Sequence, residues 1–319
     1  MTADFTANLA AAQQRIGGKV HKTPVQSSAA LGQRAGTTLW LKCENLQKTG
    51  SFKPRGALNK VLQLGTAERQ RGVVTVSAGN HAQALAWATQ AAGVPCTVVM
   101  PAAASPAKVD ASRGYGAEVV LHGLSADAFQ RAHELAKERN LVFVHPFDDE
   151  KIIAGAGTVG PEILEQVHGV TAIVIAIGGG GLISGVAAAV KALKPGIKVF
   201  GVEPDGACAM RKSLDAGKPV RLDMVSTIAD GLAPPMAGDI TYEYVRRFVD
   251  DVVLVTDDEI RDAMRLIIER TKLLVEPSGA AAVAALLAHK LPVTTKDTTV
   301  AVLSGGNVGV EQLATLLGR

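Results

Sequence analysis

The chain has 319 residues, 47% hydrophobic and 20% charged, a balance that suits one large or two ordinary globular domains and excludes disordered and fibrous classes. Its formal charge of +3 sits in no Lys/Arg block and aromatics are only 4%, so neither a nucleic-acid surface nor a base-stacking platform is expected. No run of 18 apolar residues predicts a membrane segment.

The opening stretch MTADFTANLAAAQQRIGGKV carries no basic segment ahead of an apolar core, so no export signal is expected. Cys43, Cys96 and Cys208 are odd in number and form no C-x-x-C pair. They suit buried thiols in a reducing, cytoplasmic setting better than a disulfide framework. GVVTVSAG (72–79) predicts a strand ending in a glycine turn, and HAQALAWATQAAG continues it as a helix. PCTVVMP (95–101), AEVVLHG (117–123) and LVFVHP (141–146) predict further strands, with a helix over 125–140. TAIVIAIGGGG (171–181), KVFGVEP (198–204), VVLVTD (252–257) and TTVAVLSGG (298–306) extend the pattern. Strand–helix alternation with nearly continuous apolar strands predicts an α/β fold of doubly wound parallel sheets, with ligands bound beyond the carboxyl ends of the strands. LGTAERQRG (64–72) and FDDEKIIAGAGT (147–158) read as crossings between two lobes. The larger lobe is then 1–65 and 150–319, the inserted smaller lobe 74–142, and the cleft between them the expected site.

IGGGGLISG (177–185) puts four consecutive glycines between a strand and a helix. Bare amides and the helix dipole favour an anion there, and a phosphate is the expected guest. Leu182 and Ile183 stand where a nucleotide P-loop needs Lys and Ser or Thr, so this is no Walker motif. Glu203, at the end of the next strand, keeps a dinucleotide reading and hence a nicotinamide-dependent dehydrogenase open. Lys53, between Phe52 and Pro54 in TGSFKPRGA, has an apolar setting that disfavours its charge and leaves an amine able to condense with an aldehyde. An isolated lysine is ordinarily a solvated surface charge, so Lys53 matters through its company. SAGNHAQA (77–84) sets Ser77, Asn80 and His81 at a strand end, where they can grip a carboxylate. EPSGAAA (276–282) offers Glu276 at a helix start, and SGGN (304–307) offers Ser304 after the last strand. Each loop alone is ordinary turn chemistry; together at strand ends they read as one site.

In this order and spacing, KTGSFKPRGA, SAGNHAQA, GGGGLISG, EPSGAAA and LSGGN resemble the fold type II pyridoxal-phosphate enzymes. The branch is that of the serine/threonine dehydratases (threonine ammonia-lyases) and serine racemases, and the resemblance runs from HKTPVQSS (21–28) to SGGNVG (304–309). It implies the tryptophan synthase β-like fold: two doubly wound α/β lobes with pyridoxal 5'-phosphate in the cleft, held mainly by the larger lobe. It also implies roles. Lys53 matches the lysine that binds the cofactor covalently and moves the Cα proton, with Phe52 packed beside the ring. Gly178, Gly179, Gly180, Gly181 and Leu182 match the phosphate loop. Asn80 matches the partner of the pyridoxal 3'-oxygen, Ser304 the residue facing the pyridine nitrogen, and Glu276 lies in the acidic loop near the ring. Ser77, Ala78, Asn80 and His81 match the substrate loop, Ser77 and His81 receiving the carboxylate.

A hydroxyl at the pyridine nitrogen makes a milder electron sink than an aspartate, which favours expelling a β-leaving group. The expected reaction is dehydration of a 3-hydroxy amino acid such as L-threonine or L-serine to a 2-oxo acid and ammonia. Ala78 stands where the racemases carry a second serine, and alanine cannot move a proton, so a dehydratase is favoured over a serine or aspartate racemase. A dehydratase for 3-hydroxyaspartate or phenylserine is a further alternative. Glu203 matches a divalent-cation ligand of the racemase-like members, but DGACAM (205–210) has no acid after Asp205 to complete the set. No metal is therefore expected, with Asp230 at most an outer contributor. The chain ends ten residues after Gly309, where biosynthetic relatives carry a regulatory domain, so none is expected. An amino acid substrate, no nucleic-acid or membrane partner, and a homodimer complete the expectation.

Overall fold

A computed structural model of the chain describes residues 2–318. Among these residues ten strands form two sheets. In spatial order the larger sheet holds β1 (Val25–Ser27), β2 (Thr38–Cys43), β10 (Thr298–Leu303), β7 (Ala172–Ala176), β8 (Lys198–Pro204) and β9 (Asp251–Val255). Only the β1–β2 pairing in it is antiparallel. The smaller sheet holds β5 (Glu118–Leu121), β4 (Cys96–Met100), β3 (Val73–Val76) and β6 (Val142–Phe143), all parallel.

The central strands read as unbroken apolar runs because both faces are covered. Ile173, Ile175, Val300 and Val302 point into a core with Ile183, Val186 and Val190 of the helix Gly181–Leu193. Their neighbours Ala172, Val174, Ala301 and Leu303 point the other way, onto the helices Asp257–Thr271 and Pro277–Leu287. The latter helix, PSGAAAVAALL, is buried from Pro277 to Leu286, and its small side chains let it lie close against the sheet.

The sequence does not single out β1 and β2, and LVFVHP narrows to the short β6, beyond which the Val144 amide adds one more bond, to the Val74 carbonyl at 2.9 Å. The two stretches read as crossings are largely helical: Thr66–Arg71 leads into β3 and Glu150–Gly157 follows β6. Asp149 caps the second, its carboxylate accepting from the amides of Lys151 at 2.8 Å and Ile152 at 3.2 Å. Val73, Val98 and Met100 share a core with Leu85 of the helix Asn80–Ala92, Leu58 and Val61 of the helix Lys53–Val61, and Ile152. The span 74–142 does not hold this core alone, because helix 53–61 lies against it. The start of that same helix meets the larger sheet, where the Phe52 amide donates to the Ser304 carbonyl at 3.1 Å. Lys53, its first residue, therefore stands where the two sheets meet.

Candidate active site

The loops after β3, β7 and β10 line one cavity of about 460 Å³, together with Phe52, Lys53 and segments 230–235 and 276–278. Its size is that of a small-molecule site, ~300–1,000 Å³. Phe52, Lys53, Ser77, Ala78, Asn80, His81, Gly178, Gly179, Gly180, Gly181, Leu182, Glu276 and Ser304 all line it.

The Lys53 amine donates to the Pro146 carbonyl at 2.9 Å and lies 5.2 Å from the centre of the Phe52 ring. Burial pulls its pKa down to about 8, against the attraction of Glu276. Near neutrality a useful fraction is therefore the uncharged nucleophile. Across the cavity, β7 passes through the glycines into helix 181–193. Gly180 sits at φ 93°, a left-handed conformation that favours glycine. A Cβ on Gly178 would fall 2.7 Å from the Gly231 carbonyl oxygen, and one on Gly180 would fall 2.8 Å from the Thr241 side chain. One on Gly179 would enter the Phe147 ring. Only a bare backbone fits here, and the first amides of the helix have no partner within it.

A hydrogen-bonded chain runs along a third wall. Asn307 Nδ2 donates to the Thr49 carbonyl at 2.7 Å and to Asn80 Oδ1 at 2.8 Å, and Asn80 Nδ2 donates to Glu276 Oε1 at 2.6 Å. Burial raises the Glu276 pKa to about 7, with the Asn80 amide opposing it. Ser304 Oγ donates to the Ser278 carbonyl at 3.3 Å, while Ser278 Oγ accepts from the Gly231 amide at 3.0 Å. His81 is buried with neither ring nitrogen hydrogen-bonded within the chain. Burial, helped by the charges of Lys53 and His145, holds its pKa well below 6.5, and the Val144 backbone pulls weakly the other way. His145 Nδ1 accepts from the Asp148 amide at 2.7 Å and the Phe147 amide at 3.3 Å, so that nitrogen carries no proton. Burial takes the His145 pKa down to about 4.

Glu203 lies elsewhere. It is fully buried, and its oxygens accept from the amides of Met210 at 2.9 Å and Arg211 at 2.8 Å, capping the helix Ala209–Ala216. Burial raises its pKa to about 8. Fully buried and outside the cavity lining, Glu203 cannot reach a ribose there, which removes the support for the dinucleotide reading. Among the described residues no group of three or more His, Cys, Asp or Glu is placed to hold a metal ion.

A family model for pyridoxal-phosphate dependent enzymes matches residues 16–305. The chain belongs to this family. L-threonine ammonia-lyase of Thermotoga maritima is 43% identical over 309 residues, covering 97% of this chain and 77% of that protein. L-threo-3-hydroxyaspartate ammonia-lyase of Saccharomyces cerevisiae is 40% identical over 307 residues, covering 96% and 94%. The solved structure of maize serine racemase superposes with a TM-score of 0.93 at 40% identity, covering 97% of this chain and 95% of that one. The fold is therefore that of the fold type II enzymes, and the cofactor is pyridoxal phosphate. The cavity of this pyridoxal-phosphate dependent enzyme fits the group. It offers an amine of lowered pKa for the aldehyde, a glycine loop closed to side chains for the phosphate, and an orphaned imidazole for an added ligand.

Asn307, Ser278, Phe147 and Lys108 are given no role by the sequence, yet they line the site; the ADGLAPP stretch expected to wall it, Asp230 included, does so, whereas AGAGTVGPE (154–162), expected beside it, does not. Asn307 and Ser278 belong to SGGN and EPSG and were legible as motif members. Their task is to orient other side chains, which spacing alone does not reveal. Phe147 and Lys108 carry no sequence signal.

Proposed function

We propose that this enzyme is a dehydratase (ammonia-lyase) for a 3-hydroxy amino acid of the L-threonine or L-serine type. It releases a 2-oxo acid and ammonia by β-elimination, acting as a carbon–oxygen lyase. The observation that carries this reading is the pairing of one buried amine, Lys53, with a methyl group, Ala78, in the loop where a racemase needs its second acid/base.

Bound pyridoxal phosphate supplies an electron sink conjugated to the substrate's amino group. The amides of Gly178 to Leu182 would hold the phosphate, Asn80 would meet the 3'-oxygen, Ser304 the ring nitrogen, and Phe52 and Glu276 would flank the ring. Ser77, Asn80 and a neutral His81 receive the substrate carboxylate, fixing the Cα–H bond toward Lys53. The Lys53 amine takes that proton, the freed electron pair closes the Cα–Cβ double bond as the Cβ–O bond breaks, the Lys53 ammonium returns the proton so that the β-hydroxyl departs as water, and hydrolysis of the enamine product yields the 2-oxo acid and ammonia. A single base on one face supports elimination over inversion.

We further propose a cytoplasmic homodimer with residues 1–65 and 150–319 as the cofactor-binding domain and 74–142 as the smaller domain. Three free, buried thiols support the reducing compartment, and two-fold dimers are the commonest closed assembly. The test follows 2-oxo acid and ammonia from L- and D-serine, L-threonine, L-allo-threonine, 3-hydroxyaspartate and 3-phenylserine with the cofactor supplied. Strong release from L-threonine or L-serine is expected. Racemisation without release would overturn the reading.

A further inference from the structure

Besides the separate groups Lys53 and Glu276, the cavity holds an ion pair. Lys108, on the helix Pro106–Gly114, meets Asp230, in the turn Asp230–Leu232, with Nζ 3.2 Å from Oδ2. Both line the cavity, and they join segments 122 residues apart. The side chains are 36% and 66% exposed, so the pair contributes little to holding the structure together. What it alters is the charge that a substrate side chain meets.

Among the described cavity-lining residues the lysines are Lys53 and Lys108 and the carboxylates are Glu276 and Asp230. Lys53 is committed to the cofactor, and Lys108 is matched by Asp230. A substrate with one carboxylate finds its receiver in Ser77, Asn80 and His81. A second carboxylate, on the side chain, would find no uncompensated cation and would approach Asp230 and Glu276. Lys108 and Asp230 also act in opposite senses on the titration of Glu276, which places both within electrostatic reach of the ring-side carboxylate.

Resting on the dehydratase reading, we propose that Asp230 is a specificity-determining residue. By occupying Lys108 it restricts the enzyme to 3-hydroxy amino acids with uncharged side chains. Its removal frees Lys108 to receive a side-chain carboxylate.

The test uses the holoenzyme and its Asp230→Asn, Lys108→Ala and doubly substituted forms. Release of 2-oxo acid is measured from L-threonine and L-threo-3-hydroxyaspartate, and binding of succinate and butyrate by calorimetry. For Asp230→Asn, the ratio of kcat/KM for hydroxyaspartate over threonine should rise about tenfold, and succinate binding should tighten by a similar factor while butyrate binding does not. The double variant should lose both gains. A merely structural role would move the two substrates, or the two acids, together. An unchanged ratio in Asp230→Asn, a gain that survives in the double variant, or a wild type that already favours hydroxyaspartate overturns the proposal. If the wild type releases nothing from either amino acid, the dehydratase reading fails while the succinate and butyrate comparison still decides the role of Asp230.

Discussion

Helix 53–61 carries two cations two positions apart, Arg55 fully buried and Lys53 partly so with its amine turned inward, and they live in opposite surroundings. The Arg55 guanidinium donates to Glu44 twice at 2.8 Å, to Glu162 at 2.7 and 2.8 Å, to Thr158 at 3.1 Å and to the His21 carbonyl at 3.2 Å. Lys42 completes the set, donating to Glu162 at 2.6 Å, Gln166 at 2.9 Å and the Thr23 carbonyl at 2.8 Å. Two cations face two carboxylates with their donors engaged; burial still lowers the Lys42 pKa against the pull of Glu162 and Glu44, but its amine is spent on three acceptors. Burial works against the Arg55 charge, but Glu44 and Glu162 outweigh it and its pKa rises. Lys53, by contrast, has one neutral carbonyl, and burial wins. The comparison teaches that burial alone does not make a reactive group. Completeness of partnering decides whether a buried charge is scaffold or reagent.

The largest way to break that contrast is Lys53→Ala. Turnover should fall at least about 1,000-fold, and the visible absorbance of the lysine-linked cofactor should vanish. Stability should not follow. Because the folded pKa is depressed from 10.5 to about 8, the charged amine costs stability below pH 8, and that cost disappears as pH rises past 10.5. Urea melts of the apoprotein should therefore show Lys53→Ala no less stable than the wild type at pH 7, and relatively less favoured at pH 10.5. The apoprotein should also take up pyridoxal phosphate faster as pH rises through 8. Retained turnover would remove Lys53 from its role.

Arg55→Met inverts the result. Loss of one cation leaves Glu44 and Glu162 sharing only Lys42, so the apoprotein should lose about 3–5 kcal/mol, with restoration in part by a second change, Glu44→Gln. A loss under 1 kcal/mol would mean that the network is not the scaffold of this helix.

Glu276→Gln sharpens the contrast by pH. Its carboxyl rises from 4.5 to about 7 in the fold, so keeping it ionised costs about 3 kcal/mol above pH 7 and nothing below 4.5. Glutamine can still accept from Asn80. Thermal melts of the apoprotein should show the variant stabilised at pH 8 and matching the wild type at pH 4.5. A pH-independent difference would contradict the assignment.

Scaffold and site differ in how much the sequence discloses. β7 and β10 were plain because both faces are buried and the apolar run is unbroken. β1 is three residues long, and β2, paired between β1 and β10, breaks its apolar run with Thr38 and Lys42, so neither stood out from neighbouring loops. Helices 66–71 and 150–157 are too short for periodicity to mark them. In the site, four glycines and a lysine beside proline announce backbone and amine chemistry locally. Contacts such as Lys108–Asp230 and Asn307–Asn80 close over 122 and 227 residues, and only the folded chain brings them together.

Asn307 gives the smallest and finest test. Its amide satisfies Thr49 and Asn80 at once, which leaves the Asn80 Nδ2 aimed at Glu276 and the cavity. The turn beneath it is held open: Thr49 at φ 57° and Gly50 at φ 75° are both left-handed, and a Cβ on Gly50 would strike the Asn307 side chain. Asn307→Ala removes the orientation without touching the cofactor's other contacts, so cofactor affinity should fall about tenfold, the size expected of one lost positioning hydrogen bond. Asn307→Asp should be worse than alanine, because a carboxylate repels both the Thr49 carbonyl and Asn80 Oδ1 and favours the reversed Asn80 amide. Titration of pyridoxal phosphate into the two apoproteins ranks them. Equal affinities would show that Asn80 holds its orientation without Asn307, and that this wall of the site is assembled by Glu276 alone.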